Sequence, residues 1–255
     1  MGRMAKILYF ISVIIIVLGL LILGGVFGIG GERTGAGNGR SLLSSAPSAG
    51  QETVVSGKTE GAYRIVIDPG HGGKDPGANS VSGVEEKDFT LSLAQRVYEL
   101  LWRDPMFEPY LTRTNDSFIA LEERARLANE MHADALISLH GNTYEGPEEV
   151  SGTETYYFAE GDGSSELAQD IHQHLIEALG FEDRGVRQED WKVLRTSEVP
   201  AVLAEVGFLT NPGNETVLLS EAGQEQAAQA IVDALKQYFS SETGRGSYKR
   251  GGGII

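Results

Sequence analysis

A chain of 255 residues with 41% hydrophobic content can bury one sizeable core, and its length allows one domain or two small ones. The formal net charge of -15 argues against nucleic acid as a partner, since a phosphate backbone is bound by clustered Lys and Arg, and it offers no long-range attraction to an anionic cell wall. With no cysteine, the chain has no disulfide, thiolate zinc site, cysteine nucleophile or lipidated N-terminal cysteine, which fits an exported bacterial protein without requiring one.

The first element is an uncharged apolar run over residues 7–29, long enough to cross a hydrocarbon core of about 30 Å. It is apolar on every face, which a buried core helix would not need. Arg3 and Lys6 precede it, so the positive-inside rule leaves the N-terminus cytoplasmic and places the rest outside. Residues 1–29 are therefore expected to anchor the protein in the cell membrane as a single-pass transmembrane helix. A cleaved signal peptide, giving a secreted protein, is the alternative, although the run exceeds the usual core of about 7 to 15 residues and lacks a good cleavage site. Residues 30–62 are rich in Gly and Ser and read as a flexible tether, and residues 241–255 as a disordered Gly-rich tail.

The folded part, residues 63–240, contains no internal repeat. In chain order its patterns predict strand 63–68, helix 87–102, strand 107–112, helix 118–131, strands 135–139 and 153–158, helix 165–179, strands 191–194 and 201–206, and helix 221–239. This alternation implies a single α/β domain with a mostly parallel central sheet covered by helices on both faces. Ligands in such sheets bind beyond the carboxyl ends of strands. His71, His140 and Gly207 each follow a predicted strand, and Glu205 lies near the end of its own, so all four are expected on one rim.

Those residues suggest a chemistry. Hydrolytic zinc usually takes three protein ligands and leaves one position for water. His71 and His140 offer imidazoles from two strand ends, and Glu86 offers a carboxylate from a helix start, where the dipole favours negative charge. Glu205 lies in the apolar AVLAEVGF strand, where a carboxylate without a partner or role is costly, and it is the best candidate for general base. Taken singly, each histidine reads more readily as a structural hydrogen-bonding residue and Glu86 as a helix-start charge. His172 and His174 are two apart in a helix and make a poor metal pair. His132 fits a helix-end dipole contact, and Trp102 and Trp191 read as core rather than as sugar platforms. The Gly70-His71-Gly72-Gly73 turn lacks the lysine-serine pair of a phosphate loop.

Motif order sharpens this reading. Asp68-Pro69-Gly70-His71-Gly72-Gly73 is followed by Asp75-Pro76-Gly77-Ala78, Glu86-Lys87-Asp88, Leu111-Thr112-Arg113-Thr114, Leu121 with Arg124, and Ala128-Asn129. Ser138-Leu139-His140-Gly141-Asn142 and the block from Pro200 through Glu205-Val206-Gly207-Phe208 to Pro212 complete the series. In this order and spacing, the folded region resembles the zinc-dependent N-acetylmuramoyl-L-alanine amidases of the amidase-3 family along almost its whole length.

The resemblance implies His71, Glu86 and His140 as zinc ligands, with Glu86 preferred to the adjacent Glu85, and Glu205 as the catalytic glutamate. It implies peptidoglycan as substrate and hydrolysis of the amide between N-acetylmuramic acid and L-alanine, in wall remodelling linked to sporulation or division. A zinc peptidase acting within the stem peptide and a non-catalytic wall-binding module are the alternatives. The segment after Asn142 is short, so the long autoinhibitory helix of some division amidases is not expected there. Arg113, Arg124 and Asn142 could each contact substrate or serve structural pairing, and Asp68 could orient a ligand or simply form a turn. The substrate-binding residues and any activating partner are not identified by the sequence.

Overall fold

The computed structural model describes residues 61–146 and 149–241. The anticipated anchor at 1–29, the tether up to residue 60 and the tail from 242 lie outside the described residues. Among the described residues, no helix is long and apolar enough to cross a membrane.

Six strands form one sheet: β1 (Tyr63–Pro69), β2 (Phe107–Leu111), β3 (Ala135–Asn142), β4 (Thr153–Tyr157), β5 (Asp183–Gln188) and β6 (Ala201–Phe208). Their order is β2-β1-β3-β6-β4-β5. Pairing is parallel throughout except where β4 runs antiparallel to β6. The helices are α1 (Glu86–Arg103), α2 (Leu121–Glu130), α3 (Ser164–Leu179), the single turn α4 (Lys192–Arg195), α5 (Pro212–Leu218) and α6 (Glu221–Ser240). The expected single α/β domain with a mostly parallel, helix-covered sheet is therefore present.

The central strands are buried on both faces, as continuous apolar runs such as Ile65-Val66-Ile67 require. Ile65 and Ile67 join Ile137, Leu139, Val202 and Val206 in a core under α1, α3 and α6. Val66 joins Leu136 and Leu203 in a second core under α2 and α4. Helix α1 reaches its core through Phe89, Leu93, Val97 and Leu101, four residues apart and all buried, while Glu86 and Asp88 suit its N-terminus and Arg103 its C-terminus. Each fully buried Leu or Ile contributes about 1.5 to 3 kcal/mol, so these stripes hold the helices to the sheet.

Three elements depart from the sequence reading. Residues 191–194, predicted as a strand, form the turn α4 instead, with Val193 and Leu194 buried in the second core. Four apolar or amphipathic residues are too few to distinguish a strand from a helical turn. Strand β5 escapes sequence reading because DRGVRQ is a polar edge strand without apolar alternation. Helix α5 was also unforeseen, although its signal is present: Asn211 caps it by accepting from the Asn214 amide, and Pro212 opens it. Trp102 is 41% exposed and stacks on Tyr98, so it does not belong to the core.

Candidate metal centre

The glycine turn after β1, the first turn of α1 and the end of β3 converge at the carboxyl ends of the strands. His71 and His140 present their rings edge to face, with centroids 4.9 Å apart. Glu86, the first residue of α1 and only 4% exposed, turns inward between them, whereas Glu85 faces outward and pairs with Lys87. Glu86 Oε1 lies 3.1 Å from His71 Nε2 and 3.0 Å from His140 Nδ1. The Gly141 amide also donates to Oε1, and the Ala78 amide donates to Oε2. One donor atom from each of the three residues falls within 4.8 Å of the others.

Two imidazoles and one carboxylate are a nitrogen and oxygen set suited to a divalent metal. The backbone is shaped around them. A Cβ on Gly70 would come within 2.3 Å of the His140 ring, and one on Gly77, whose φ is +69°, would meet Glu86 Oε2 at 2.6 Å and His71 Cδ2 at 2.7 Å. Such close approach explains why glycine stands at both positions. The donor residues therefore fit a divalent cation.

Register places the proposed base beside this group. His140 and Glu205 are partners across β3 and β6, and Glu154 is the partner of Glu205 across β4 and β6. The row His140, Glu205, Glu154 thus runs along one side of the sheet. Glu205 Oε2 is buried and has no hydrogen-bond partner among the described residues. Burial, together with the negative charges of Glu86 and Glu154, pushes its carboxyl well above the ordinary range. Burial pushes Glu86 upward too, but its contacts with His140 and His71 outweigh that and hold it below the ordinary range. For His71, burial favours the neutral ring, yet Glu86 and Asp75 together raise its proton affinity. Asp75 Oδ1 is 3.0 Å from His71 Nδ1 and pairs with it.

The donors and Glu205 open on a cavity of about 680 Å³ that Leu121, Trp191, Val193 and Leu203 also line. Trp191, read as core, is half-buried in this lining and packs on Tyr156.

The other candidates each bond to partners within the chain. Asp68 is fully buried and touches neither histidine; it accepts from Thr112, Arg124 and Ser138. Arg113 and Arg124, each 2% exposed, bond to backbone carbonyls. Asn142 lines the cavity with its amide donating to Glu154. His172 is buried between Thr155 and Asp183, and His174 bonds the Asp170 carbonyl one turn back. His132, just past the end of α2, adopts a left-handed φ of 48°.

Sequence reasoning missed Glu154. Burial pushes its carboxyl up, but hydrogen bonds from Tyr156 and Arg184, the Arg187 charge and the Asn142 amide outweigh this and hold it below the ordinary range. Its position in TETYY carries no local sign that it will face Glu205.

Comparison with known proteins agrees with this geometry. Residues 65–237 match the family model described as N-acetylmuramoyl-L-alanine amidase. The chain is 40% identical over 199 residues to YqiI of Bacillus subtilis (strain 168), covering 77% of this chain and 92% of that protein. It is 36% identical over 189 residues to the probable cell wall amidase LytH of Staphylococcus epidermidis (strain ATCC 12228 / FDA PCI 1200), covering 73% of this chain and 60% of that longer relative. The crystal structure of an N-acetylmuramoyl-L-alanine amidase from Clostridium difficile 630 superposes with a TM-score of 0.70 and 38% identity, over 72% of this chain and 100% of that one. With its sheet, its rim of donors and these relatives in agreement, the chain belongs to the Amidase_3 family of N-acetylmuramoyl-L-alanine amidases.

Proposed function

We propose that the chain hydrolyses the amide between N-acetylmuramic acid and L-alanine in peptidoglycan, with zinc held by His71, Glu86 and His140 and with Glu205 as general base. The observation that carries this reading is the row in which Glu205, whose buried Oε2 has no partner among the described residues, is the register partner of His140 beside a two-imidazole, one-carboxylate donor set. Membership of the amidase family supports the bond and the substrate. The nitrogen and oxygen donors support zinc.

Bound among these donors, a zinc ion would supply Lewis acidity toward the scissile carbonyl and toward water. Glu205 accepts the proton of the attacking water at a carboxyl oxygen and returns it to the leaving amine. Glu86 remains an anion throughout, held by the Ala78 and Gly141 amides. Leu121 and Trp191, in the cavity lining, provide apolar surface against which a substrate can exclude water.

On the same footing, residues 1–29 are proposed to tether the catalytic domain to the outer face of the membrane, where wall remodelling at division or sporulation would take place. The charge distribution around the apolar run supports this orientation.

The test is product analysis on defined muropeptides with the zinc-loaded full chain. Release of stem peptides bearing a free L-alanine amino terminus is expected. Cleavage within the stem peptide would assign a peptidase instead, and binding without cleavage would reduce the protein to a wall-binding module.

A further inference from the structure

His71 lies in the left-handed backbone region, with φ at 59°. An L-residue there is disfavoured by roughly 1 to 2 kcal/mol, so the surroundings must hold it. Three basic side chains grip the turn from behind. Arg113 donates through Nε to the Pro69 carbonyl at 3.1 Å and through Nη2 to that of Gly70 at 2.8 Å. Arg124 donates through Nη1 to the Pro69 carbonyl at 2.8 Å and through Nη2 to that of His71 at 2.7 Å. Lys87 Nζ reaches the Gly73 carbonyl at 3.1 Å.

The two guanidiniums are buried, and each of their nitrogens is bonded within the chain. Arg124 also pairs with Asp68 at 2.8 Å and bonds the Ile119 carbonyl, so every one of its nitrogens has a partner. Arg113 spends its remaining contacts on Asn115, Lys87 and Thr90. Each nitrogen already has a partner within the chain, although Arg124 borders the cavity. What they hold in common is the backbone that aims His71.

We infer that Arg124, supported by Arg113, is a positioning residue for metal binding: it fixes the His71 carbonyl so that the imidazole faces Glu86 and His140 before a cation arrives. The inference rests on the proposed reading of those three residues as the donors. Three donors from separate chain segments bind tightly only if little ordering remains at the moment of binding. A guanidinium can address the Asp68 carboxylate and two carbonyls in a fixed fork, which an ammonium cannot.

The experiment measures affinity for Zn²⁺ alone, by competition with a chromophoric chelator, on the full chain. Arg124→Lys keeps the charge beside Asp68 and is expected to bind zinc about 10 to 100-fold more weakly, the usual loss when a contact behind a ligand is removed. Metal-free urea unfolding is recorded in parallel. Leu235→Ala, a core truncation on α6, is expected to lower stability while leaving zinc affinity unchanged. If Arg124→Lys folds and behaves in the same way, its role is structural only and the inference falls. If His71→Ala retains full zinc affinity, the donor assignment itself fails, a separate result from unchanged affinity in Arg124→Lys alone. Should Arg124→Lys not fold, Arg113→Lys leaves the Asp68 ion pair intact and takes the same measurement: weakened zinc binding supports the clamp, and unchanged binding overturns it.

Discussion

The donor side and the base side of the cavity each carry a glutamate, and their surroundings drive the two in opposite directions. Glu86 meets two imidazoles and two backbone amides, which hold it ionised despite burial. Glu205, the register partner of His140, has an oxygen with no hydrogen-bond partner among the described residues, and burial followed by the charges of Glu86 and Glu154 raises its proton affinity. The same side chain is thus held as an anion in one place and driven toward its protonated form in the other, and environment rather than residue type makes the distinction.

That contrast can be broken by amide substitution. Glu86→Gln removes the anion between the histidines, and zinc affinity is expected to fall by more than the ~100-fold typical of contacts behind ligands, taking hydrolysis with it. Chelator competition measures the first effect and peptide release the second. Glu205→Gln is expected to slow hydrolysis by about 10² to 10⁴-fold with zinc affinity intact, since it removes general-base catalysis alone. If the two variants exchanged these phenotypes, the assignment of anion and base would have to be reversed.

Smaller changes sharpen the comparison. Gly77→Ala forces a Cβ to within 2.6 Å of Glu86 Oε2 at a φ of +69°, and should cost about 1 to 2 kcal/mol in stability and weaken zinc binding. Thermal unfolding with and without zinc separates the two losses. Glu154 offers a pH signature. Its proton affinity is depressed in the folded state, so its contribution to stability is full above the unfolded glutamate pKa of about 4.3 and is lost as pH falls through the lower folded value. Glu154→Gln should therefore be less stable than the parent at neutral pH, and the gap should narrow in acid. Urea titrations at a series of pH values would record this, and a gap independent of pH would remove Glu154 from the electrostatics of the base side.

The legibility of the fold followed burial. Strands β1, β3 and β6 and helices α1, α3 and α6 were readable because their apolar residues recur with strand or helix period. Strand β5 was not, because an edge strand with half-exposed residues carries no such pattern. The donor residues were readable because each follows a strand or opens a helix, and motif order tied them together. Glu154 and the engaged state of Arg113 and Arg124 were not, since their partners lie far away in sequence: 44 and 56 residues separate Arg113 from Pro69 and Arg124 from Asp68.

By itself the sequence determined the alternation of strands and helices and the candidacy of His71, Glu86, His140 and Glu205, because periodicity and turn chemistry act over a few residues. Only the tertiary structure decided that Glu154 stands opposite Glu205, that Trp191 walls the cavity and that two arginines clasp the turn behind His71. Those facts depend on strand order and register, which are settled by the joint packing of both cores and not by any local stretch of chain.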